Sequence, residues 1–295
     1  TENLGVDSSF YQEIRNLGFS PSQSASLSSN VPTYWGDQPI LEAPPYVGIT
    51  VVFLSIFTVF IPSVRKKYFW IYFGIILSFL LSWGKNFDFL TKFFVEYFPL
   101  YNKFRAVSSI QVILEFCFPI LATIGLYSFF EISKNKSFSV LIKTYLFFLI
   151  LLILIYLSSF TLNFSSKIDS YYGQIFGPEL MLLIKKTRLE IFKYDVLRAI
   201  FFVSLIFTPL LLFLKNKLSG TMTFSIIVFF VFFDLINIGN RYLDRELFLK
   251  PSRINKFYDE NNADKEILKD TSYFRVFQPS STMQNARASF FHNSI

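Results

Sequence analysis

The sequence predicts an all-α polytopic membrane protein with six transmembrane helices and two interfacial amphipathic helices. Three observations carry this. Apolar stretches recur at 46–63, 68–83, 107–130, 138–160, 196–214 and 222–240, and a helix needs roughly 20 apolar residues to cross the hydrocarbon layer. Basic residues gather in every second connection: Arg65, Lys66, Lys67, Lys134, Lys136, Lys215 and Lys217 face a single acid, Glu131. The other connections are long, carry both signs, and show apolar residues at helical spacing.

Short connections rich in Lys and Arg stay in the cytoplasm. The expected exterior is therefore 1–45, 84–106, 161–195 and 241–295. This divides the chain into an extracytoplasmic loop segment (1–45), a six-span membrane domain (46–240) and the start of a following extracytoplasmic domain (241–295). The chain opens in mid-loop at Thr1, so it reads as an internal segment of a longer protein.

Composition mostly excludes. One cysteine, Cys117, and one histidine, His292, leave no disulfide framework, no Cys-based zinc site and no Ser-His triad. No cofactor is expected, and a divalent metal requirement stays open. A net charge of +7 would suggest nucleic acid in a soluble chain. Here it follows from the retained loops and from cations facing phospholipid headgroups, so no nucleic-acid partner is expected.

In the first segment, Ser20–Asn30 reads as a loop and Pro32–Pro39 as turn-rich chain at the membrane surface. Two uses fit the latter. Tyr34 and Trp35 can plug the interface as aromatic belt residues, or Trp35 can stack on a sugar ring while Asp37 accepts hydroxyl hydrogen bonds. The first two spans follow, the second flanked by Tyr68, Trp70 and Trp83.

In 84–106, Phe87, Leu90, Phe94, Tyr97 and Phe98 recur at helical spacing, which predicts a helix along the interface over 87–98. Pro99 ends it, and Lys85, Lys103 and Arg105 come to the mouth of the third span. A lipid-linked phosphate suits such cations, the guanidinium fork especially; ordinary phospholipid headgroups suit them equally. In 161–195, Leu180, Leu183, Ile184 and Ile191 give a second interfacial helix over 179–193 an apolar side, with Lys185, Lys186, Arg188 and Lys193 on polar faces. Two such helices would roof a cavity in the outer leaflet.

Ionisable residues inside spans mark function by default. Glu115 shares a face with Ser108 and Gln111, four residues before Pro119; Asp234 has Asn237 and Arg241 on its face. Gln111, Glu115 and Asp234 are expected to be buried polar residues. They serve either as packing links, Asp234 with Arg198 or Arg241, or, for Glu115, as the floor of an outer cavity.

Three ordered motifs, Tyr34-Trp35-Gly36-Asp37-Gln38-Pro39, Ser82-Trp83-Gly84-Lys85-Asn86 and Tyr101-Asn102-Lys103-Phe104-Arg105-Ala106-Val107-Ser108-Ser109, resemble the bacterial YfhO family of membrane proteins, its Bacteroidota branch most. The stretches Arg241–Leu243, Tyr273–Val276 and Ser289–Ile295 resemble that family's passage into its next extracytoplasmic domain. The resemblance implies a glycosyltransferase-C-like fold in the bacterial inner membrane. It also implies transfer of sugar from a polyprenyl-phosphate-linked donor to a cell-envelope acceptor. The family's catalytic carboxylate lies in a first extracytoplasmic loop, which this chain is expected to follow, so no catalytic residue is assigned. Lys85, Lys103 and Arg105 are then candidates for the donor phosphate, and Tyr34, Trp35 and Asp37 for the sugar or acceptor. A transporter or flippase of a lipid-linked intermediate, and an envelope assembly scaffold without chemistry, are the alternatives. The expected partners are membrane lipids and the lipid-linked sugar.

Overall fold

The computed structural model describes residues 4–36, 45–103, 107–167, 169–242, 248, 250–252, 259–277 and 286–293. Among these the chain is helical, without a β-sheet. Two compact units divide at 242/243.

The first unit opens with two short helices, α1 (Ser9–Asn16) and α2 (Pro21–Ser29). Ser8 caps α1 by accepting the Tyr11 amide at 3.1 Å. A reciprocal capping box between Ser20 and Gln23 starts α2, with Pro21 in its first turn. The loop expected over 20–30 is thus a helix. Two of its serines are not solvated spacers: Ser24 and Ser28, one turn apart, are fully buried, and small side chains at that spacing let α1 and α2 approach closely.

Four helices are long and apolar enough to cross a membrane: Ser108–Glu131, Lys134–Ser158, Gly177–Leu214 and Gly220–Tyr242. The chain is a helical membrane protein on this ground. The stretches expected as the first two spans form shorter helices, α3 (Ile49–Phe60) and α5 (Phe69–Ser82), of 12 and 14 residues, or about 18 and 21 Å. Ile61 is extended before Pro62 (φ −107°, ψ 100°), as the residue preceding proline prefers. That stops α3, and a basic turn of helix, α4 (Pro62–Lys67), follows.

The short α3 is the hub. It packs on α7 (Val112–Glu131), α8 (Lys134–Ser158), α9 (Asp169–Leu214) and α10 (Gly220–Tyr242). Phe53 and Phe57 are completely buried; Phe57 stacks on Phe129 at 5.4 Å and Phe53 meets Phe148 edge-on at 5.4 Å. Helices α3 and α7 touch closest at Gly125, where an added Cβ would lie 2.5 Å from the Leu54 carbonyl oxygen. These pairings carry the C-terminal ends of α3 and α7 to the same end of the bundle. Lys134 hydrogen-bonds Asn216 there, so the connections 131–137 and 215–217 meet. Helix α5 leads away from that basic end, and its Ser78 bonds the Ile110 carbonyl at 2.6 Å where α7 is about to begin.

Helix α6 (Asp88–Tyr97) follows the 3₁₀ turn Gly84–Phe87 and buries none of its residues. It lies where the first interfacial helix is expected. The second expected interfacial helix is corrected. Helix α9 breaks only at Gly177 (φ 82°, ψ 166°) and is then continuous for 38 residues to Leu214, about 57 Å. Residues 179–193 are therefore the leading half of the same helix as the expected fifth span, because nothing between Pro178 and Arg198 interrupts it. Their apolar stripe faces protein: Leu180, Met181 and Ile184 bury against Phe10, Ile14 and Val31.

In the second unit, α11 (Asn262–Ile267) has its own capping box from Asn261 and Asp264. Helix α12 (Ala286–Phe291) precedes His292, whose Nε2 lies 3.1 Å from Asp264 Oδ1.

Candidate functional site

Among the described residues, two buried polar clusters and one exposed surface stand out at the end of the bundle away from the basic connections. The first cluster sits where α3 begins. Gly48 (φ +96°) turns the chain into α3 but supplies no capping side chain; an intrahelical partner is missing for the first amides. Asp234 of α10 provides it. Its Oδ2 accepts from the Thr50 amide at 3.2 Å and the Thr50 hydroxyl at 3.0 Å. Its Oδ1 accepts from Arg198 Nη1 at 2.7 Å and from the Tyr46 hydroxyl at 2.8 Å. The Tyr46 oxygen in turn accepts from Arg198 Nη2 at 2.9 Å and the Ile49 amide at 3.0 Å. Asp234 is 0% exposed and spends its acceptor capacity on these four donors. Arg241 meets Asp195 at 2.7 Å beside this cluster. What the arrangement does chemically is join α3, α9 and α10.

The second cluster centres on Arg188, 1% exposed. Every N–H of its guanidinium is used. Nε and Nη2 donate to the Pro32 carbonyl at 2.9 and 2.8 Å, and Nη1 donates to the Phe164 carbonyl at 2.9 Å. Nη1 and Nη2 also grip Asp169 as a fork, at 2.8 and 2.9 Å. Burial pushes the Asp169 carboxyl up, but hydrogen bonds from Arg188 and the Ser166 amide, with the Arg188 charge, outweigh it and hold the group below its ordinary range. The cluster pins Pro32, and Trp35 then packs edge-on against Phe164 (5.1 Å) and Phe192 (6.4 Å). Arg188, expected on a polar face, is thus buried. Its spacing from Leu180 and Ile184, by fours, is the signal that places it on the buried stripe.

The exposed surface is α6 and its flanking turns. Thr91 ties α6 back to the Gly84 carbonyl at 2.8 Å; Phe94 stacks on Phe98 at 4.4 Å and packs on Tyr101 at 5.4 Å. Phe89 and Tyr97 remain open, at 81% and 71%. Lys85, in the turn before α6, and Lys103, in the turn Tyr101–Lys103 after it, are both exposed.

Of the remaining candidates, Arg105 and Asp37 lie outside the described residues. Tyr34 is exposed, whereas Trp35 is half-buried in its ring cluster. Asp234 is buried, but the expectation of burial is corrected for Glu115, which is exposed on α7; Gln111 is only half-buried. The α7 face that meets α3 and α5 carries Cys117, Leu121 and Gly125, and Glu115 points off that face. Among the described residues no group of three or more His, Cys, Asp or Glu is placed to hold a metal. No family model, curated protein or solved structure matches this chain.

Proposed function

We propose that the chain is the six-span membrane portion of a glycosyltransferase-C-like enzyme. It would move sugar from a polyprenyl-phosphate-linked donor to an envelope acceptor outside the cytoplasm. The observation that carries this reading is the pair of exposed lysines, Lys85 and Lys103, bracketing an unburied aromatic helix. A lipid phosphate arriving in the leaflet meets fixed positive charge there, and an aromatic surface beside it suits an isoprenoid or a sugar ring. Lys85 and Lys103, with Arg105, would neutralise the donor phosphate and stabilise the charge that develops on it as the glycosidic bond breaks. The loop 34–39 would shape the sugar or acceptor side. No residue of this chain is assigned as the base that activates the acceptor hydroxyl.

The scaffold reading has its own support: the carboxylates of Asp234 and Asp169 are buried and both accept hydrogen bonds from a neighbouring arginine and from backbone amides. One experiment separates the two. Binding of polyprenyl phosphate to the protein in nanodiscs is measured for the parent, for Lys85→Ala/Lys103→Ala and for Lys92→Ala. Lys92 already pairs with Asp88 at 2.5 Å on α6. The enzyme reading expects the double variant alone to lose affinity, by about thirtyfold at roughly 1 kcal/mol per surface lysine. Equal binding by all three, or none by the parent, overturns it and leaves the scaffold.

A further inference from the structure

Helices α7, α10 and α3 leave a partly open groove of about 500 Å³ at the other side of the molecule's charge pattern, towards the basic end. Helix α7 lines it from Pro119 to Phe130 and α10 from Phe224 to Val231; Val51 and Leu54 of α3 form its floor. The floor residues are buried, while Val228 and Tyr127 at the rim are half or more exposed. Along α7 the groove runs about 16 Å. Its wall is almost entirely apolar. Because α7 and α10 are both long enough to cross a membrane, the groove opens towards hydrocarbon.

The chemistry changes at one end. Phe130 packs edge-on against Phe213 at 4.8 Å, and Lys134 Nζ lies 6.0 Å over that same Phe213 ring. Lys134, Lys136, Lys215 and Lys217 are exposed in the two connections that meet there, and Glu131 is the one carboxylate among them. An apolar slot therefore ends at a cluster of ammonium groups. An acyl chain and a phosphate are disposed in the same way along a phospholipid.

We propose that this groove binds an anionic phospholipid. One acyl chain lies between α7 and α10 on the α3 floor, and the headgroup phosphate is held at Lys134. A chain seated there completes the packing around α3, whose 12 residues do not by themselves fill the space between longer helices. The site is separate from Lys85 and Lys103, which lie past the far end of α5.

The test is native mass spectrometry of the full chain in detergent, titrated with dioleoyl phosphatidylglycerol or dioleoyl phosphatidylcholine. Three proteins are compared: parent, Val228→Trp and Lys134→Glu. The parent should retain phosphatidylglycerol about fivefold or more over phosphatidylcholine, as roughly 1 kcal/mol per lysine near the phosphate implies. Val228→Trp, which fills the groove from its exposed rim, should lose both lipids. Lys134→Glu lies on the surface and leaves the groove intact, so it should keep phosphatidylcholine and lose the preference. Unchanged phosphatidylglycerol retention by Val228→Trp, or an unchanged preference in Lys134→Glu, overturns the proposal. So does a parent that binds no lipid but dimerises through this face, with Val228→Trp monomeric; the occupant is then a second copy. Should Val228→Trp not fold, the Lys134→Glu comparison decides alone.

Discussion

Arg188 grips Asp169 through both terminal nitrogens, at 2.8 and 2.9 Å, and the same guanidinium holds the Pro32 carbonyl 156 residues away in sequence. Held in place by Asp169, the guanidinium fastens the N-terminal segment to α9 at Pro32, beside the apolar contacts of Phe10, Ile14 and Val31 and the Lys186–Glu13 pair. Arg188→Ala strands a buried carboxylate, a loss of about 3–5 kcal/mol. Arg188→Lys keeps the charge but not the fork, so it should fall between parent and alanine. Amide hydrogen exchange over residues 8–31 should quicken in that order while α8 stays protected. Equal protection of 8–31 in all three proteins would contradict the fastening role.

The pair also sets a pH dependence. The folded Asp169 carboxyl sits below its ordinary value of 3.8, so its contribution is complete above that value. It is lost as pH falls through the lower folded pKa. Protection factors over 8–31, which correct for the intrinsic pH dependence of amide exchange, should therefore stay constant from neutral pH down to about 4, in the sense of this linkage, and fall below it. Asp169→Asn should remove that acid-linked component; a variant with an unchanged acid profile would assign it to other groups.

Asp234 and Arg198 make a different prediction, because Asp234 also caps α3. Asp234→Ala leaves buried Arg198 with only the Tyr46 hydroxyl and Asp195, 3.7 Å from its Nε, and the Thr50 amide without an acceptor, costing up to about 3–5 kcal/mol. Replacing both partners with apolar residues, Asp234→Leu with Arg198→Met, removes the stranded charge and should recover a large part of that loss. Thermal unfolding in nanodiscs reads both. A double variant as unstable as Asp234→Ala would show that the α3 cap matters more than the charge pair.

The long spans are legible in sequence because lipid and protein alike ask only for apolar side chains over 20 or more residues. Charge partners are less so. Asp234 with Arg198 is one of the two pairings expected, the other being Arg241 on its own helix face, whereas Arg188 with Asp169 and Pro32 depends on chain brought together from far apart. Ser20–Asn30 reads as a loop by composition because serine is a poor helix interior residue, yet the capping box and the contact with α1 override it. The leading half of α9 has the pattern of an interfacial helix because a stripe that buries against α1 looks like one that buries in lipid. Glu115 is misread for a related reason: an acid in an apolar helix signals an unusual place, but not which side of the helix it faces. Of the candidate site, Lys85 and Lys103 are visible as surface cations in either description.

Gly125 tests the hub. The Leu54 carbonyl lies 2.5 Å from where a Cβ would be, and backbone cannot yield as a flexible side chain can. Gly125→Ala should destabilise by about 1–3 kcal/mol, the usual range for overpacking. Gly239→Ala on α10 meets nothing within 4 Å and should be neutral or stabilising by about 0.5–1 kcal/mol. Thermal unfolding of the two side by side checks this, and equal effects would mean that helix propensity rather than close approach governs both sites.

The last prediction concerns orientation. If the basic connections are cytoplasmic, cysteines introduced at Ser22 and Ser165 lie outside and one at Ser133 lies inside; all three positions are exposed in the fold. The parent background is favourable, because Cys117 is buried and Cys117→Ser would remove it altogether. A membrane-impermeant maleimide applied to intact cells should label Ser22→Cys and Ser165→Cys, and should reach Ser133→Cys only after the cells are opened. Ser22 and Ser165 lie on either side of four of the expected spans, so their agreement requires an even number of crossings between them: α3 and α5, of 12 and 14 residues, cross together or not at all. Labelling of Ser133→Cys from outside, with Ser22→Cys protected, would invert the protein and bring Lys134 and its groove to the outer leaflet. Opposite labelling of Ser22→Cys and Ser165→Cys would instead mean that one of the two short helices fails to cross, and that the chain spans the membrane an odd number of times between them.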